Sequence, residues 1–149
     1  MSSQERLASE IKSAMLAKDA DRLTALRMLK SAVGYVQIER KTDALTEADF
    51  IAVVQKEIKK RRDSIEQFEK GGRADLAARE KKEIEALETF LPKAFSPEEL
   101  DQLVNQSIRE LGATAKKDMG PVIKAVQAKA AGRADGKTIS AAVAKLLPG

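Results

Sequence analysis

The chain has 149 residues, 43% hydrophobic and 34% charged, with 3% aromatic residues and neither Cys nor His. Without thiols or imidazoles it can hold no disulfide, thiolate metal centre or nucleophilic cysteine, and it lacks the usual general base near neutral pH. The net charge is +4, and its distribution is uneven: residues 1–112 carry 20 Lys+Arg against 21 Asp+Glu, while residues 113–149 carry 7 against 2.

A basic excess confined to the last quarter points to a polyanion partner for the tail. No apolar N-terminal segment is present, and no apolar run nears the roughly 18 residues that would span a membrane. A cytoplasmic protein without a membrane partner is expected.

In chain order, every long segment carries the helical period. Ser2-Ser3-Gln4-Glu5 has the pattern of a capping box, followed by Leu7, Ile11, Ala14 and Met15 on one face. Asp19 or Asp21 caps a second helix with the stripe Leu23, Leu26, Leu29, Val33 and Val36; Tyr35-Val36-Gln37-Ile38 alternates like a strand but continues this stripe. Thr46 caps a third helix (Phe50, Val54, Ile58, Ile65, Phe68 inward) that stops at Gly71-Gly72. A fourth runs from about Ala74 to Phe90 and is ended by Pro92, whose ring disfavours helical backbone in the residue before it.

Ser96-Pro97-Glu98-Glu99 opens the next helix, with Ser as cap, Pro at the first position and Glu at the third. Leu100, Leu103, Val104, Ile108 and Leu111 form its stripe, and Gly112 closes it. Asp118 is expected to cap a helix burying Met119, Val122, Ile123 and Val126 and ending at Gly132, and a short last helix carries Ile139, Val143 and Leu146. The expectation is an all-α protein: a four-helix domain over residues 1–92 and a three-helix tail over 96–149.

The stretch Ala131–Ser140, AGRADGKTIS, invites comparison with a phosphate-binding loop. The motif G-x-x-x-x-G-K-[ST] needs glycine at 131, where alanine stands, and it needs a preceding strand, where the periodicity gives a helix. The residues instead read as a helix stop at Gly132 and an Asp135 cap. Arg133 and Lys137 flank that helix start, where exposed amides favour a single phosphate.

Other charged clusters read as solvated faces. Lys59-Lys60-Arg61-Arg62 lies among i,i+4 pairs such as Glu57 with Arg61, and Glu80-Lys81-Lys82-Glu83 has the same character. Glu98, Glu99 and Asp101 complement a helix dipole. Tyr35 is the only tyrosine, too little aromatic surface for a base-stacking platform. Shape and phosphate recognition of a folded RNA needs only placed cations and amides.

The segments EIEALETFLPKAFSPEEL (Glu83–Leu100) and KDMGPVIKAVQAKAAGRADGKTISAAVAKLL (Lys117–Leu147) resemble the GatB/YqeY family, and the resemblance covers nearly the whole chain. It implies a helical domain followed by a tail like that of the B subunit of the aspartyl/glutamyl-tRNA amidotransferase. That tail contacts tRNA by shape and backbone. Carried onto this sequence, the implied RNA contacts are Lys117, Lys124, Arg133 and Lys137.

The family-level activity, carbon–nitrogen ligation with glutamine as amide donor, belongs to a catalytic cradle, its metal ligands and a glutaminase, none of which this sequence contains. The expectation is therefore a tRNA-binding module with no catalytic residue, cofactor or metal of its own. The alternative is an accessory subunit that docks a separate amidotransferase or tRNA synthetase through residues 47–90.

Overall fold

The structure, a computed structural model, describes residues 1–148. It contains α1 (Ser3–Leu16), α2 (Ala20–Arg40), α3 (Glu47–Lys70), α4 (Ala74–Glu88), α5 (Pro97–Leu111), α6 (Met119–Ala130) and α7 (Gly136–Leu146), and no strand among the described residues. A single 3-10 turn, Lys116–Asp118, leads into α6. The fold is all-α, as the periodicity predicts, and no helix is long and apolar enough to cross a membrane.

Local chemistry sets the helix ends. Ser2 and Glu5 close a reciprocal capping box, and Ser96 and Glu99 close another, with Pro97 at the first helical position. Asp19, Thr46 and Asp135 each accept an amide hydrogen bond from the third residue of their helix. Gly112 ends α5 in the left-handed region at φ 64°, where a side chain would be strained. One expected cap differs. Asp118 occupies the position before α6, but its carboxylate turns back to accept from the Thr114 amide at 2.9 Å and the Ala115 amide at 3.3 Å. It closes the 3-10 turn and leaves the first turn of α6 without a side-chain cap.

The chain forms two compact units, Met1–Leu91 and Pro92–Gly149. In the first, α1 to α4 enclose Leu26, Leu29, Val33, Phe50, Val54 and Leu87. Phe50 and Phe90 meet with ring centroids 5.8 Å apart, and the Arg6 guanidinium caps the Phe90 ring at 4.4 Å.

This unit also buries charge, against the expectation of a solvated face. Arg61 is 5% exposed and Glu83 also 5%. The Arg61 Nη1 donates to Glu83 at 2.7 Å and to Glu80 at 3.2 Å, so its partners lie on α4 and not one turn away at Glu57. Burial pushes the Glu83 carboxyl above its ordinary value, and Arg61 pulls it down with less effect.

The second unit packs α5, α6 and α7 around Leu100, Val104, Val122, Val126, Ile139 and Val143. Phe95 lies against this core, and its amide donates to the Arg133 carbonyl at 3.0 Å. Ser107 is fully buried, and its hydroxyl has no hydrogen-bond partner among the described residues.

Candidate nucleic-acid interface

The seven cations of residues 113–149 divide into two groups. Four are engaged within their own unit. Lys116 donates to the Ala144 carbonyl, Lys129 pairs with Glu110, and Lys145 pairs with Asp101 at 2.9 Å. Arg133 stacks over Phe95 at 3.9 Å from ring centroid, donates from Nε to the Lys93 carbonyl at 2.8 Å, and lies 3.6 Å from Glu99.

The other three, Lys117, Lys124 and Lys137, are exposed and have no ion pair among the described residues. Lys117 lies in the 3-10 turn before α6, and Lys124 lies in α6. Gln127 follows one turn later, and the start of α7 comes against it: its Nε2 lies 3.4 Å from where a Cβ on Gly136 would stand. Lys137 is the next residue of α7 after Gly136 and is exposed.

The geometry separates the four expected contacts. Lys117, Lys124 and Lys137 are exposed and without an ion pair among the described residues, while Arg133 is committed to the Phe95 ring and to the backbone at Lys93. Near Lys117 and Lys124, α6 begins with amides lacking a side-chain cap, and Gly120 there has nothing within 4 Å of its would-be Cβ. Such a start offers room but few free amides, since the Met119 amide donates to the Lys116 carbonyl and Pro121 has none.

The negative groups of this unit are turned to internal work. The Ser96 amide and hydroxyl, with Arg133 adding to them, hold the Glu99 carboxyl below its usual range. The Lys129 ammonium and the Gln106 amide do the same for Glu110, and the Thr114 and Ala115 amides for Asp118.

The Ala131–Ser140 turn is no phosphate loop. Ala131 and Gly132 end α6 at φ 48° and 89°, and Asp135 accepts from the Thr138 amide at 2.7 Å. A helix enters the turn where a nucleotide loop requires a strand.

Comparison with known proteins supplies the family. The model of the family described as Yqey-like protein matches residues 4–147. Curated relatives named altered inheritance of mitochondria protein 41, mitochondrial, include one from Vanderwaltozyma polyspora, 33% identical over 107 residues, covering 70% of this chain and 58% of the relative. Another, from Lachancea thermotolerans, is 35% identical over 113 residues, with 74% and 60% covered. A third, from Kluyveromyces lactis, is 38% identical over 136 residues, with 89% and 69% covered.

The chain thus spans about three fifths of the length of the first two relatives. Their names correct the cytoplasmic expectation, because they are mitochondrial proteins by name. The absence of a long apolar run speaks only to membrane spans, and organelle transit segments are amphipathic rather than apolar. With the family match running through both compact units, the chain belongs to the YqeY-like family.

Proposed function

We propose that this protein is a non-catalytic RNA-binding module that holds a folded tRNA by its backbone through the C-terminal unit. The observation that carries the reading is the division of the tail's cations: four are engaged internally, and Lys117, Lys124 and Lys137 are exposed without an ion pair among the described residues. Backbone recognition needs placed cations and amides rather than stacking aromatics, which suits a chain with one tyrosine. The resemblance of the tail to that of the amidotransferase B subunit points to the same ligand. Arg133 serves the tail indirectly, by fixing residues 93–95 against the α6–α7 turn.

The test is binding of bacterial and mitochondrial tRNA pools across a salt series. Released counterions make log affinity fall linearly with log salt, by about 0.9 per neutralised phosphate on duplex. Replacing Lys117, Lys124 and Lys137 with Ala should weaken binding and flatten the slope by roughly 0.9 for each phosphate that is no longer neutralised. Arg133→Ala should change the slope less than the triple variant. Absence of tRNA binding at low salt would end this reading.

An accessory role beside a separate amidotransferase or synthetase draws less support. The charged faces of residues 47–90 pair largely among themselves, as in Arg61 with Glu83, Lys81 with Glu69 and Lys70 with Glu66.

A further inference from the structure

The segment that joins the two units is gripped on each side by an arginine, and the two grips have the same design. In the first unit, Arg6 of α1 lays its guanidinium over the Phe90 ring at 4.4 Å and donates from Nη2 to the Thr89 carbonyl at 2.6 Å. In the second, Arg133 lays its guanidinium over the Phe95 ring at 3.9 Å and donates from Nε to the Lys93 carbonyl at 2.8 Å. Each arginine thus holds a phenylalanine by its face and a nearby backbone carbonyl by its edge. A planar guanidinium suits this double task, because it stacks and donates at once.

The neighbouring residues are held on the same two sides. Phe90 is buried in the core of the first unit, Leu91 packs against that core, and their amides donate to the Leu87 and Glu88 carbonyls, both at 3.0 Å. Phe95 packs against the core of the second unit, and its amide donates to the Arg133 carbonyl at 3.0 Å. Pro92 stands between the grips. Its ring fixes its own φ and restricts Leu91 before it, so few free rotations remain there. Lys93 and Ala94 are exposed, and no backbone–backbone hydrogen bond holds them among the described residues. The Arg133 side chain is what fixes that stretch.

We propose that Arg6 and Arg133 are paired clamps that reduce the free connection between the units to Pro92, and that release of Arg133 lengthens it to Pro92–Ala94. The two clamps are unequal. Arg6 acts on residues that core packing already holds, whereas Lys93 and Ala94 have no second anchor. Arg133 is therefore the releasable clamp, and it sets the length of chain on which the C-terminal unit is tethered.

Digestion of the full chain with a lysine-specific endoprotease tests this, because the carbonyl that Arg133 holds belongs to the Lys93–Ala94 bond that must be cut. Cleavage there reports the population of the released state. Release exposes little surface, so cleavage at Lys93–Ala94 should hardly change across sub-denaturing urea, while cleavage after Lys124 and Lys129, inside α6, should rise steeply. Arg133→Ala should speed the urea-independent cleavage about fivefold, the worth of one exposed stacking contact and one hydrogen bond. Nitrogen-15 relaxation gives a second reading: the Lys93 and Ala94 amides should have order parameters near about 0.85 in the parent and fall toward about 0.6 in the variant. Arg6→Ala should leave cleavage at Lys93–Ala94 unchanged and speed hydrogen exchange of the Leu91 amide about fivefold. A parent cut at Lys93–Ala94 as fast as Arg133→Ala overturns the clamp. Cleavage there that rises with urea in parallel with Lys124 and Lys129 overturns it too, since that bond then opens only when the unit unfolds. Arg6→Ala with unchanged exchange at Leu91, or with faster cleavage at Lys93–Ala94, overturns the pairing.

Discussion

In the N-terminal unit a guanidinium is buried and bound to two carboxylates of a neighbouring helix, while in the C-terminal unit the buried set is apolar except for Ser107. The difference follows from helix length and composition. The 24-residue α3 carries so many charged residues that its inward stripe cannot avoid them, and α4 supplies the counter-charges at matching height. The short α6 and α7 are rich in Ala and Val, pack closely, and send every lysine outward. The first unit buries an ion pair inside its core, and the second keeps its ion pairs at the surface and leaves Lys117, Lys124 and Lys137 without one among the described residues.

The strongest way to break this contrast is to remove one half of the buried pair. Arg61→Ala should destabilise the N-terminal unit by about 3–5 kcal/mol, since it leaves buried Glu83 without its partner, and Glu83→Ala should cost less, because Glu80 still pairs with Arg61. Chemical denaturation followed by circular dichroism measures it. The joint replacement Arg61→Met/Glu83→Leu should recover most of the loss, because an apolar pair avoids the desolvation cost. Failure of that recovery would assign Arg61 a role beyond neutralising its partners.

In the C-terminal unit the corresponding experiment has the opposite sign. Ser107→Ala should raise stability by about 1 kcal/mol, because the buried hydroxyl has no partner to lose. Arg133→Ala should cost about 1 kcal/mol, through removal of its stacking on Phe95 and of one hydrogen bond to the Lys93 carbonyl. Neutralising Lys117, Lys124 and Lys137 together should move stability by no more than about 0.5 kcal/mol, as expected of unpaired surface groups. A large effect would mean that these lysines hold the fold rather than a ligand.

The pH dependence sharpens the comparison by its sign. The Glu83 carboxyl is raised by burial, so its contribution is fully present below the ordinary value of 4.5 and is lost as pH rises through its folded value. Glu99, Glu110 and Asp118 are lowered, so theirs are present above their ordinary values and are lost as pH falls through the folded ones. Glu47, held down by the Ser3 hydroxyl and amide, follows the tail's direction inside the N-terminal unit. Denaturation at a series of pH values on either side of 4.5, with Glu83→Gln alongside, isolates the opposing contribution. The variant should lack the fall in stability above 4.5 that Glu83 imposes on the parent.

The candidate site is legible in the sequence only in part. Lys117, Lys124 and Lys137 stand out because a basic excess in a short tail leaves few acids to absorb it. Arg133 looks equivalent to them in sequence, and its engagement depends on Phe95 and Lys93, about forty residues away in the chain. Arg61 does carry a signal: with Val54, Ile58 and Ile65 it keeps the inward register of α3, as Glu83 does with Ile84 and Leu87 on α4. The i,i+4 spacing to Glu57 masks it.

Residue order alone settles the local part: seven helices, their Ser, Thr and Asp caps, and their endings at Gly71–Gly72, Gly112 and Gly132. Those features are decided within about one helical turn, by hydrogen bonds and backbone preferences that need no distant partner. Packing settles which cations are engaged and which remain: Arg61 on α4, Arg133 on Phe95, Lys145 on Asp101. It also settles which way Asp118 faces. The reason is one of range, because a helix fixes which residues share a face, while only the packing of one face on another determines what that face meets.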